Sequence, residues 1–178
     1  MSTDLAIFGG EPIRKEPFPA WPRITEEMKR SLIHTFEEEE WGVGSKTITL
    51  FNEQFATMQD AKYCLSIHSG TSAIWICLKA AGIEAGDEVI LPSYTFIATA
   101  SAVVLANAVP VFADIDKKTA NLDPTSVEKL ITKKTKAIIP VHTAGAPADM
   151  KAFLDISKKY NIPICLLYTS PSPRDYPG

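Results

Sequence analysis

The chain has 178 residues, 46% hydrophobic and 22% charged, with a formal net charge of −3. Such an apolar share excludes a disordered tail, and the mild acidity argues against a nucleic-acid module, which carries a basic excess. No apolar run approaches the ~20 residues of a membrane span, and the start Met-Ser-Thr-Asp-Leu lacks the basic-then-apolar order of a signal peptide.

In chain order, Pro12, Pro17, Pro19 and Pro22 come first. Proline fixes φ and removes a donor, so residues 1–24 are expected to form an extended arm laid over something else. Thr25 then caps a helix that carries Glu26 and Glu27 in its first turn, where carboxylates suit the helix dipole. Ile24, Met28, Leu32 and Phe36 recur every fourth residue, which predicts one buried face. The run Glu37 to Glu40 is expected to be a solvated face. Trp41-Gly-Val-Gly-Ser45 breaks the chain before a second amphipathic helix with Ile48, Phe51, Phe55 and Met58 on one side.

From residue 63 short apolar runs alternate with helical patterns. Tyr63 to Ile67, Glu88 to Leu91, Val109 to Ile115 and Lys136 to Val141 read as buried strands. Helices are predicted over Thr71 to Ala81, Thr95 to Asn107, Pro124 to Thr132 and Ala148 to Tyr160, with a further strand starting at Ile162. This alternation is that of an α/β domain, a mostly parallel sheet covered on both faces. Cys64, Cys77 and Cys165, odd in number and far apart, suit a reducing cytosol, so a cytoplasmic protein is expected.

Ligands of such sheets bind at the carboxyl ends of the strands. The first strand runs into His68-Ser69-Gly70-Thr71-Ser72 and then a helix, where free N–H groups and hydroxyls suit a phosphate. Ser, Gly and Thr also serve as plain caps, so the motif leaves both readings open. The second strand ends at Pro92-Ser93-Tyr94-Thr95-Phe96. By spacing alone Phe96 is expected in the core, although its ring would also offer a stacking face to a planar ligand. His142, after the fourth strand, either points into the cleft or is a hydrogen-bonded structural histidine. No dinucleotide glycine fingerprint, P-loop or Gly-x-Ser-x-Gly elbow is present, and His34, His68 and His142 lack metal-ligand spacing, so no metal is expected.

The combination Gly9-Gly10-Glu-Pro-Ile-Arg14, Ser69-Gly-Thr-Ser72, Gly86-Asp-Glu-Val-Ile-Leu-Pro92 and Thr95-Phe-Ile-Ala-Thr99 resembles one family. Val109-Pro-Val-Phe-Ala-Asp114, Ala137-Ile-Ile-Pro-Val-His142 and Gly145-Ala-Pro-Ala-Asp149 extend the resemblance, which runs in unbroken order from Gly9 to Ile164. The family is that of the DegT/DnrJ/EryC1/StrS aminotransferases, which use pyridoxal 5'-phosphate and mostly aminate nucleotide-linked keto sugars. The resemblance implies the fold type I large domain, here incomplete over residues 25–164 and lacking the small C-terminal domain. It also implies a homodimer, glutamate as amino donor, a nucleotide-sugar substrate, and no nucleic-acid or membrane partner. Gly70, Thr71 and Ser72 match the turn that holds the cofactor phosphate, and Phe96 matches the aromatic that stacks on the pyridine ring. Tyr94, Thr95 and His142 lie where substrate contacts are expected.

The cofactor's chemistry needs a lysine for a Schiff base and an acid at the pyridine nitrogen. In the family the acid follows on the strand that starts here at Asn161-Ile-Pro-Ile164, and the lysine comes later. Here Cys165-Leu-Leu-Tyr-Thr-Ser-Pro-Ser-Pro-Arg-Asp175 follows instead, a string that reads as an in-frame translation of a sequencing adapter. Residues 165–178 are therefore expected to be non-native, Asp175 is not that acid, and the chain alone is expected to be inactive. Two alternatives stand beside the aminotransferase: a non-catalytic phosphate- or cofactor-binding regulatory domain, and a sugar dehydratase of the same family.

Overall fold

The computed structural model describes residues 5–19, 21–39 and 41–166. Glu40 and residues 167–178, which include Asp175 and most of the adapter-like tail, lie outside the described residues. The chain divides into two compact units, residues 1–66 and 67–178.

The first unit opens with a 3-10 turn at Ala6–Phe8 and otherwise irregular, exposed chain. Helix α1 spans Glu26–Glu37, and the Thr25 side chain accepts the Met28 N–H at 3.1 Å, as a capping residue should. The predicted burial of its apolar stripe is not met. Ile24, Met28, Leu32 and Phe36 are all exposed, because no described element of the first unit covers that face. Helix α2, Lys46–Met58, is capped by Ser45, which accepts the Ile48 N–H at 3.3 Å. Of its side chains only Ala56 is buried. Tyr63 to Ile67 is not a strand: no described strand pairs with it, and Asn52 on α2 takes over the Ser66 backbone N–H at 2.9 Å through its Oδ1, which also accepts the Ser66 hydroxyl. A strand exists only through its ladder, and here a side chain has claimed a ladder donor.

The second unit is the expected α/β layer structure. Helix α3 (Gly70–Ala80) leads to β1 (Glu88–Pro92), then α4 (Ala98–Leu105), β2 (Val109–Ala113), α5 (Pro124–Leu130), β3 (Thr135–Ile138) and α6 (Met150–Tyr160). The strands are parallel in the order β2-β1-β3, with Glu88 opposite Val109 and Ile90 opposite Ile138. Ile164 adds a parallel bridge to Ile138, so the segment from Ile162 starts the next strand on the far side of β3. Strand alternation sorts the core into two sides. Val89, Leu91, Ala137 and Ile139 pack with Ile74 and Leu78 of α3 and Ala102 and Val103 of α4. Ile90 and Ile138 face the other way, onto Val127 of α5 and Phe153 and Ile156 of α6. Glu128 clasps α5 to α6, accepting from Lys159 Nζ at 2.7 Å and the Tyr160 hydroxyl at 3.0 Å. Those bonds hold the Glu128 carboxyl below its usual range and the Lys159 ammonium above its own.

Cys165 sits against the α3/α4 core beside Cys77. Burial pushes its thiol up to about 11, and the neighbouring Cys77 thiol adds to the shift. At pH 8 only about one in a thousand of these thiols is ionised, and the thiolate is the reactive form. Iodoacetamide at that pH is therefore expected to label exposed Cys77 well before Cys165. Peptide mass spectrometry over a time course checks the order, and equal rates would contradict the burial.

Candidate cofactor-binding edge

Parallel strands end on one edge, so Pro92, Ala113 and Ile138 share it. Helix α3 packs antiparallel to the strand it precedes and hands the chain to the amino end of β1, which places its own N-terminus on the carboxyl edge. Helices α4, α5 and α6 each follow a strand and also start there. The loops after β1, β2 and β3 thus meet the first turn of α3 along one rim. A cavity of about 450 Å³ lined by Gly82, Thr132, Thr135, Lys136 and Asn161 lies at the opposite, amino edge and is not this site.

Ser69 caps α3 and accepts the Ser72 N–H at 3.2 Å. The N–H groups of Gly70 and Thr71 and the Thr71 hydroxyl have no partner among the described residues. A first turn leaves such donors orphaned, and they attract an anion. A Cβ added at Gly70 would meet nothing within 4 Å, so the rim in front of the turn is open. The Ser72 hydroxyl is engaged, with His68 Nε2 at 2.9 Å and Ser69 Oγ at 3.1 Å.

In the loop after β1, Ser93 donates its N–H to the Ala113 carbonyl at 3.1 Å, which ties the loop to the end of β2. Phe96 is not in the core, contrary to the expectation from spacing. It is 58% exposed at the start of α4, where helix packing uses Ala98, Ala102 and Val103 instead. Tyr94 is exposed as well. Thr95 shares a 2.8 Å hydrogen bond with Thr99, which is fully buried, so this hydroxyl braces the loop against α4.

His142 is half-buried, and its Nδ1 accepts the Ala148 N–H at 3.0 Å. An accepting Nδ1 places the neutral ring's proton on Nε2. Of the two roles left open for this residue, a structural hydrogen bond is present. Two residues of the rim were missed in the sequence. His68 stands one helical turn before Ser72, a spacing that was legible. Asn121, only 4% exposed, donates to the Ala146 and Pro147 carbonyls at 3.2 and 3.1 Å and accepts the Thr143 N–H at 3.0 Å. Those partners lie more than 20 residues away, and no local pattern announces them. Asp116 turns onto its own loop: the N–H groups of Thr119 and Lys118 hold its carboxyl below the usual range. Among the described residues no His, Cys, Asp and Glu cluster could hold a metal. No described helix is long and apolar enough to cross a membrane.

The family model described as the DegT/DnrJ/EryC1/StrS aminotransferase family matches residues 22–166. The chain belongs to this family. L-glutamine:2-deoxy-scyllo-inosose aminotransferase of Streptomyces kanamyceticus is 39% identical over 167 residues, covering 90% of this chain and 39% of that protein. The crystal structure of 3-amino-5-hydroxybenzoic acid synthase aligns with a TM-score of 0.80 and 36% identity, over 84% of this chain and 39% of the other. NtdA from Bacillus subtilis, solved with bound cofactor PMP, aligns with a TM-score of 0.75 and 34% identity, over 88% of this chain and 37% of the other. The chain thus spans about 40% of the length of the curated relatives it matches. The aligned structures carry the same α/β architecture as the second unit, the large-domain fold expected from the sequence.

Proposed function

We propose that the protein containing this chain is a pyridoxal 5'-phosphate-dependent aminotransferase that moves an amino group from glutamine or glutamate onto the ketone of a polyhydroxylated ring. The observation that carries this is the first turn of α3, where the Gly70 and Thr71 N–H groups and the Thr71 hydroxyl have no partner among the described residues and face open space on the carboxyl edge. Those donors fit a phosphate, which only accepts, and they would hold the cofactor's phosphate together with Ser72. The exposed Phe96 ring would cover a face of the pyridine, and Tyr94, Thr95 and His142 border the region where a sugar would enter. When bound, the cofactor carries the amino group between donor and acceptor. What the chain's own residues do is bind the phosphate, orient the ring and frame the rim.

The names of related proteins support a sugar ketone: the relative from Streptomyces kanamyceticus is named for a deoxy-inosose and for glutamine. The nucleotide carrier and glutamate expected from the resemblance are the competing choices. Incubating the full-length protein with glutamine or with glutamate, each carrying ¹⁵N at its α-amino group, tests both. The acceptors are an inosose and a nucleotide-linked keto sugar, and ¹⁵N in the product amine is the readout. Labelled amine from either acceptor is the expected result, and none from all four pairings would overturn the reading. The pyridine acid and the cofactor lysine belong, on this reading, to sequence outside these residues. The isolated 178-residue chain with pyridoxal phosphate and borohydride is then expected to give no stoichiometric lysine adduct.

A further inference from the structure

From the hydroxyl network at α3 we infer that His68 is a positioning residue that makes the Ser72 hydroxyl a dedicated donor to the cofactor phosphate. This rests on the reading of α3 as the phosphate site. The proton count runs along three groups. Ser72 donates its backbone N–H to Ser69 Oγ, and Ser69 passes its own hydroxyl proton to Ser72 Oγ at 3.1 Å. Ser72 Oγ then has one proton and one lone pair left, and His68 Nε2 stands 2.9 Å away.

If Nε2 accepts, it takes the Ser72 proton, and the oxygen turns only a lone pair outward. If Nε2 carries a hydrogen, it fills the lone pair, and the Ser72 proton is free to point at a ligand. A phosphate offers only acceptors, so it pairs with the second arrangement and is repelled by the first. Bound phosphate therefore selects the His68 form with hydrogen on Nε2, and His68 in that form fixes the Ser72 hydroxyl toward the phosphate. Among the described residues no other group competes for this nitrogen: the His68 ring is exposed and Ser72 is its hydrogen-bond partner. The Ser69 hydroxyl cannot substitute, since its proton is already given to Ser72.

The test is equilibrium dialysis of the full-length apoprotein against pyridoxal 5'-phosphate and against pyridoxal, which lacks the phosphate. His68→Ala is expected to raise the Kd for pyridoxal phosphate about tenfold, the scale of one hydrogen bond to a charged group, and to leave pyridoxal unchanged. His68→Gln is expected to recover most of the affinity, because its amide places an N–H donor near the position of Nε2. His68→Asn, one bond shorter, is expected not to. Ser72→Ala should match His68→Ala, and the double variant should bind no worse than either, since both remove one interaction. An unchanged Kd in His68→Ala, or an equal further loss in the Ser72→Ala background, would overturn the role of His68 while leaving α3 as the phosphate site. If Ser72→Ala and His68→Ala both keep the full preference for pyridoxal phosphate over pyridoxal, the site reading falls with it. A purely structural histidine would weaken both ligands alike and would not be rescued by glutamine, and that result also overturns the proposal.

Discussion

Replacing Asn121 by alanine is expected to lower the unfolding free energy of the α/β unit by about 3 kcal/mol, read as a shift in the urea midpoint at unchanged slope. The side chain is nearly fully buried and closes three bonds between the loop after β2 and the loop after β3: to the Ala146 carbonyl, the Pro147 carbonyl and the Thr143 N–H. Ala146 and Pro147 are exposed, so their carbonyls can turn to water when the amide is lost. The half-buried Thr143 N–H cannot do so fully, and an unpaired buried donor costs about 1–3 kcal/mol. These loops also hold two non-glycine residues in the left-handed region, Ala120 at φ 57° and Ala144 at φ 51°. Each costs about 1 kcal/mol or more, which persists only where surrounding bonds insist on the conformation.

Asn121→Asp should be worse than the alanine variant, although it is nearly the same shape. Its carboxylate would face two carbonyl oxygens at about 3 Å, where the native amide donates. A charge in that position is desolvated and unpaired. If aspartate proves as stable as asparagine, the amide is not oriented as described, and the two loops are held by other contacts. Because His142 sits at the base of the same loop, with its Nδ1 on the Ala148 N–H, loosening Asn121 should also disorder the rim.

The parts of this structure that could be read in advance are those decided within a few residues. Thr25 announced α1 and the Ser-Gly-Thr-Ser turn at Ser69 announced α3, since a cap acts on an N–H only three residues on. β1 and β3 were legible because strands buried on both faces must be apolar without interruption. What failed were statements about partners. The four-residue spacing of Ile24, Met28, Leu32 and Phe36 does make a stripe, but a period reports where side chains point and not what covers them. Tyr63 to Ile67 has strand composition, yet strand formation depends on a neighbouring strand and Asn52 intervened. Spacing alone puts Phe96 in the core, whereas alanines and valine fill the contact of α4 and leave its ring exposed. At the rim, the phosphate turn was visible as a motif, His68 lay one turn from Ser72, and Asn121 was hidden by the distance to its partners.

The largest functional effect is expected from Thr71→Asp, which should abolish cofactor binding while leaving the fold intact. At the second position of α3 a carboxylate suits the positive end of the helix dipole and adds a few tenths to about 1 kcal/mol of stability. The same carboxylate would face a bound phosphate dianion. At about 4 Å and an effective dielectric of 20, each unit of like charge costs roughly 4 kcal/mol, and the Thr71 hydroxyl donor is lost besides. Allowing for solvent and relaxation, the Kd for pyridoxal 5'-phosphate is expected to rise more than a hundredfold, with pyridoxal itself little affected. Thr71→Asn, neutral and still able to donate, should lose only a few-fold. The thermal midpoint measured without cofactor should stay level or rise in both variants. An aspartate variant that keeps the cofactor within threefold of the native Kd, with its melting unchanged, would show that the anion is bound elsewhere. An aspartate variant that melts earlier would instead mean that α3 does not begin at Gly70, since only at a helix start does that charge help.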